Sequence, residues 1–385
     1  MRSQGVRLTL VLLLAGCQSP ATAPPPVSQS WRAQWTTQNA EAREHQRFGR
    51  YPEAAAAYAA AIDVLAERDP NDPRVRAVLV NLEGLAELVE LRGSQETHAV
   101  LMAVLARESL RVYGADDLRT ASYRLQHAGY LSGQDELDAA AEHAAAALAV
   151  LEASERTEPS KLLSALLLDA SLERRRGRLD EALLIQERAH RIAEQSFGAH
   201  SLAMASVLKA EARVAFERER IAEGRSLFEQ ALTIEQDLVP GDRRLGVSQN
   251  ELAWLLIELG QGKAAEAHAR SAVALLEESA PDSLLLAGAL DTLAGALVAQ
   301  ERFDEADALY RRALARLDEP DGAGVLPVLT PVVERYVAML ESQGRDDEAA
   351  ELALWLVDQT PAVEEGAETR AEALEEPSPE PKAEP

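Results

Sequence analysis

The 385-residue chain has one cysteine, at position 17, which excludes an internal disulfide framework and any cysteine-clustered zinc site. Aromatic side chains are scarce, at 4% of residues, although hydrophobic residues reach 47%. Alanine makes up much of the difference, with 71 copies. Such a chain can bury a large core, but one of close-packed helices rather than aromatic, β-branched sheets. Positive charge is short too: 39 Lys and Arg stand against 64 Asp and Glu, a net charge of -25. That balance speaks against general binding to nucleic-acid backbones or anionic lipid surfaces. Catalytic motifs are also missing. The seven His form no HExxH frame, and there is no Gly-x-Ser-x-Gly elbow. Gly260-Gln261-Gly262-Lys263 imitates a phosphate loop, but Ala264 replaces the Ser or Thr that would bind magnesium. That stretch reads as an inter-helix turn. No enzymatic activity, cofactor, metal site or small-molecule substrate is expected.

What is present begins at the N-terminus. Arg2 and Arg7 precede a short apolar run, Leu8 to Leu14, which ends in Ala15-Gly16. This is the layout of a secretory signal, and the run is too short to span a bilayer. Leu14-Ala15-Gly16-Cys17 resembles the lipobox of bacterial lipoproteins. The resemblance implies cleavage after residue 16, lipidation of Cys17 and attachment to a membrane of the cell envelope. Gln18, rather than Asp, resembles the pattern that sorts such proteins to the outer membrane, facing the periplasm. Residues 17–32, including Pro24-Pro25-Pro26, are expected to serve as a tether. At the other end, residues 359–385 carry the acidic Pro- and Glu-rich sequence expected of a disordered tail.

Between these ends, residues 33–358 repeat. Gly177-Arg178-Leu179-Asp180-Glu181-Ala182 is followed by Ala189, and Glu219 to Gly224 with Ala231 repeats it 42 residues later. Further copies contain Ala265 with Ala272, Ala306 with Ala313, and Ala54 with Ala61. Weaker copies centre on Gly93, Asp135 and Gly344. Twelve residues before each such position stand Ala42, Ala86, Ala128, Ala170, Ala212, Ala253, Ala294 and Val337. Small residues on two successive helices let their axes approach closely and antiparallel, and stacked pairs bury one another's apolar faces. Glycines at 49, 93, 177, 260 and 344 fall where the first helix of a pair must end. The apolar stretch Leu284 to Ala299 is in register as a first helix and is read as buried, not membrane-spanning. Arg174-Arg175-Arg176 with Arg178 is read as closing a helix C-terminus, where positive charge complements the dipole. His98, at a small-residue position, is read as an interhelical histidine.

The spacing of small positions and the Gly-Arg-aromatic-x-Glu-Ala turn resemble the tetratricopeptide repeat, in the longer form of kinesin light chains. The resemblance implies an all-α, right-handed helical solenoid of about eight helix-turn-helix units. The second unit departs from the pattern at His98 and Leu105, the eighth at Val337 and Leu356.

In that family the first helix of each unit lines a concave groove that holds peptide segments. Offsets of minus three, plus one and plus four from the Ala170-type position share one helical stripe. The stripe places Leu167, Ser171 and Arg174 in the fourth unit and Lys209, Arg213 and Phe216 in the fifth. The sixth contributes Asn250, Trp254 and Ile257. The resemblance assigns Asn250 to peptide backbone, and Asn39 keeps the same position in the first unit. Arg174, Lys209 and Arg213 would attract acidic segments, with Trp254 as an apolar anchor. The acidic tail is itself a candidate ligand. Two functions follow. One is a lipid-anchored adaptor or scaffold for other envelope proteins; the other is a self-associating structural subunit of a pilus, secretion or outer-membrane assembly complex.

Overall fold

The computed structural model describes residues 31–66, 72–92, 95–281, 283–317 and 326–359. The proposed signal, Cys17, most of the tether, Gly93 and the acidic tail after Gln359 lie outside them. All elements among the described residues are helices, and they come in eight antiparallel pairs. The pairs are α1 (Trp31–Arg47) with α2 (Tyr51–Ala66), α3 (Pro73–Arg92) with α4 (Gln95–Tyr113), and α5 (Leu118–Gly133) with α6 (Leu137–Ala153). Then come α7 (Pro159–Arg175) with α8 (Leu179–Phe197), α9 (Leu202–Glu217) with α10 (Ile221–Leu238), and α11 (Arg243–Glu258) with α12 (Gly262–Ser279). The stack ends with α13 (Leu284–Val298) and α14 (Phe303–Leu317), then α15 (Leu326–Ser342) and α16 (Asp346–Gln359). Each helix packs on its sequence neighbours, and several first helices also touch the first helix of the next pair. The architecture is an all-α repeat solenoid.

The small positions are the contact between the helices. Ala42, Ala128, Ala170, Ala212, Ala253 and Ala294 on the first helices have no exposed surface. Neither do Ala54, Ala140, Ala182, Ala265 and Ala306 on the second. Gly224 shows how tight the approach is: a Cβ there would lie 3.0 Å from both the Ala212 carbonyl oxygen and the Phe216 ring. At three of the four departures from the pattern burial weakens, whereas Leu105 in the second unit stays fully buried. Val337 and Leu356 in the last unit are only partly buried, as is His98 in the second.

First and second helices begin by different devices. Asp117, Ser201, Asp242 and Ser283 cap first helices, each side chain accepting a hydrogen bond from a backbone N–H of the first turn. Pro159 opens α7 at a position where its missing donor costs nothing. Seven second helices follow a described tight reversal in which one residue has positive φ. Glycine fills it at Gly49, Gly177, Gly260 and Gly344, but Asp135, Glu219 and Glu301 take the same conformation at φ 60 to 63°. The backbone N–H one residue later then returns to the first helix, as in Arg178 N–H to the Glu173 carbonyl at 2.8 Å.

Arginines staple the units together. Arg175 donates to the Ser132 carbonyl and hydroxyl at 2.5 and 2.7 Å and to Asp135 at 2.9 Å. Arg176 pairs with Asp138 at 2.7 Å, and Arg345 with Asp307 at 2.9 Å. The arginine run at the end of α7 is therefore bound within the stack, beyond any complement to the helix dipole. The apolar α13 is a core helix, and its buried Asp291 receives Arg335 Nε of α15 at 2.9 Å. Burial pushes the Asp291 carboxyl above the usual range, against the pull of that guanidinium. No described helix is long and apolar enough to cross a membrane.

Candidate functional site

Arg174 sits in the last turn of α7, and Lys209 and Arg213 lie one turn apart on α9. The structure brings all three to the wall of one pocket of ≈ 240 Å³, with Leu167, Ser171, Gln186, Ser206 and Ala210. Of the stripe inferred from helical offsets, Leu167, Ser171, Arg174, Lys209 and Arg213 meet here, whereas Phe216 is buried in the core with Ala212 and Phe228. Asn250 and Trp254, on α11, do not line this pocket. Trp254 is 48% exposed, and Asn250 is partly buried with its Oδ1 unpaired. The Oδ1 of Asn39, its counterpart in the first unit, is unpaired too.

Each base pairs with a carboxylate, Arg174 and Arg213 on the next unit and Lys209 on its own. Arg174 pairs with Glu217 through Nη1, and Arg213 pairs with Glu251 through Nε. Lys209 donates to Glu235 Oε1 at 2.6 Å and to Ser248 Oγ at 2.8 Å. Three cations and three carboxylates leave this part of the groove near neutral. It is not the strongly basic patch that Arg174, Lys209 and Arg213 would make by themselves. The donors are not exhausted, because a guanidinium has five N–H groups and these pairs use one nitrogen of each arginine.

Gln186, on α8, was not among the expected residues. It is 2% exposed, and its Nε2 donates to the Ala210 carbonyl at 2.9 Å. Its Oε1 is buried and has no partner within the protein. Equivalent positions, four residues after each small residue of the second helix, are Tyr58, Met102, Ala144, Phe228, Ala269 and Tyr310, all buried. A carboxamide replaces a core side chain there only in the fourth unit among the buried members of that row. Alignment of the repeats would have revealed it, since polarity at a core position marks a site under another constraint.

Residues 162–237 match a tetratricopeptide-repeat family model, and residues 286–317 match a second. The chain carries tetratricopeptide repeats. The pocket lies inside the longer matched segment, so its helices are the first and second helices of tetratricopeptide units. The solenoid is similar to a Rap protein solved in complex with Competence and Sporulation Factor. The identity is 14%, covering 85% of this chain and 97% of that one, with a TM-score of 0.52. It is also similar to BtubC (BKLC) from P. vanneervenii, at 18% identity over 75% of this chain and 91% of that one, TM-score 0.42. Kinesin-light-chain TPR-like repeats from Podosopora anserina share 20% identity over 52% of this chain and 95% of theirs, TM-score 0.43. No match was found among curated protein sequences. Among the described residues of this tetratricopeptide chain, no group of three or more His, Cys, Asp or Glu side chains could hold a metal ion.

Proposed function

We propose that the protein is a binding scaffold whose first-helix groove, over units four to six, takes a carboxylate-bearing segment of a partner protein. The observation that carries this reading is the convergence of Arg174, Lys209 and Arg213 on one pocket. A ligand carboxylate would use the guanidinium donors left by Glu217 and Glu251, in charge-assisted hydrogen bonds. Half-exposed Trp254 on the next unit, outside the pocket, offers the segment an apolar anchor. The Rap protein of similar fold is seen with Competence and Sporulation Factor bound, which supports a ligand-holding role for such a stack.

The scaffold works at the bacterial cell envelope, anchored through lipidated Cys17 and facing the periplasm from the outer membrane. The lipobox-like Leu14-Ala15-Gly16-Cys17 supports this placement. A mature lipoprotein with more than one acyl chain holds firmly to its membrane. Cys17→Ser should release the chain from the membrane fraction or leave the precursor uncut; full membrane retention would defeat the anchor. For the groove, Arg213→Glu should weaken capture of an acidic partner and flatten its salt dependence. Unchanged capture of every co-purifying partner at low and high salt would defeat it. A second reading, a self-associating envelope subunit, draws on Leu354 of α16, which is 68% exposed at the end of the stack. Concentration-dependent oligomers abolished by Leu354→Glu would favour it.

A further inference from the structure

The pocket between α7, α8 and α9 contains an acceptor that the three cations do not explain. Gln186 occupies a row that is core in six other units, yet its amide is neither exposed nor fully paired. The bond from Nε2 to the Ala210 carbonyl fixes the amide plane and with it the position of Oε1. An unpaired buried amide oxygen costs free energy unless something donates to it. Had the position served packing alone, the Met or Phe of its sister units would have served at no such cost. The wall around it holds Arg174, Lys209 and Arg213 as donors, and Ser171 and Ser206. Ser206 already donates its hydroxyl to the Leu202 carbonyl at 3.1 Å.

We infer that this pocket binds a single acidic residue of an extended peptide, its carboxylate on Arg174, Lys209 and Arg213 and its main-chain N–H on Gln186 Oε1. The inference rests on the groove reading above and adds what selects the ligand. A site with cations alone would take any anion. A fixed acceptor beside them requires an anion with a donor attached nearby, as in an Asp or Glu residue within a chain. The internal carboxylates Glu217, Glu235 and Glu251 favour one negative charge over two, because they already balance the bases. A carboxylate therefore fits better than a dianionic phosphate. Gln186 is a specificity residue for the peptide backbone, and the bases are specificity residues for the charge.

The test uses the full chain and a defined probe, an acetylated and amidated peptide of six glutamates, measured by titration calorimetry. A second probe carries N-methyl groups at the central amides. Wild type should lose about tenfold in affinity on N-methylation, the scale of one net hydrogen bond. Gln186→Met should bind the first probe about tenfold more weakly and no longer distinguish the two. Because Met102 fills the same row in the second unit, this variant is expected to fold, and its circular dichroism and melting curve check that it does. If Gln186→Met binds like wild type while Arg213→Glu fails, the amide assignment is wrong and the groove stands. If wild type binds neither probe, the groove reading falls with it. Tighter binding of a six-residue phosphoserine peptide would overturn the assignment to a carboxylate.

Discussion

Ala253 is fully buried in the core where α11 packs on α12, in a cluster with Ala265 and Ala269. Side chains there meet at the closest approach of two helix axes, so added volume has nowhere to go. Ala253→Leu should lower stability by about 1–3 kcal/mol in thermal or denaturant unfolding. Ala338→Leu, on an exposed face of α15, should stay within about 0.5 kcal/mol. Equal losses would mean that the packing register is misassigned. Histidine supplies a second test at this scale. The His127 and His143 rings lie edge to face with centroids 4.7 Å apart. Burial, with the neighbouring imidazole's charge, pushes His127 down to about 4. The unfolded chain would titrate near 6.5, so this contribution to stability is complete above that pH. It is lost as pH falls from 6.5 through 4, because the unfolded state takes up the proton first. Unfolding measured across that window should show the loss in wild type and a smaller one in His127→Leu.

At the scale of the element, the reversal between paired helices decides where second helices start. Gly177 stands at φ +78°, and a Cβ there would have no atom within 4 Å, so Gly177→Ala would meet backbone strain and no clash. It should cost about 1–2 kcal/mol. Glu219 and Glu301 hold the same left-handed conformation with a side chain in place. Glu219→Gly should therefore raise stability, by up to about 1 kcal/mol, and a loss on melting would contradict the strain assignment. This difference also explains what could be read in advance. The reversals at Gly49, Gly177, Gly260 and Gly344 were legible because glycine is the residue that takes positive φ freely. Those at Asp135, Glu219 and Glu301 were legible only through the period, since nothing in a Glu side chain asks for that backbone. The local backbone bonds that close the helix end, such as Arg220 N–H to the Ala215 carbonyl at 2.9 Å, hold them there as they do at the glycines.

At the scale of the molecule, the stack of eight pairs was legible because the packing rule repeats. A small residue on fourteen of the sixteen helices, at positions recurring every 41 to 44 residues, fixes both the pairing and the order. The convergence of Arg174, Lys209 and Arg213 was legible for the same reason, as helical offsets carry over from one unit to the next. Their partners were not. Glu217, Glu235, Ser248 and Glu251 reach the bases from other helices, and the stacking of those helices sets the contact rather than any local spacing. Gln186 was hidden for a different reason: it belongs to a second helix, outside the stripe that the first helices define. The groove is thus a set of cations held in place by the joints between units, and a ligand that binds there shares donors with those joints. Methyl NMR of the whole chain, titrated with the six-glutamate peptide, tests that claim most directly. Shifts should concentrate at Leu167, Ala210 and Ile257, on the first helices of units four to six. Shifts centred instead on exposed Leu184 or Leu354 of the second helices, or none at saturating peptide, would contradict it.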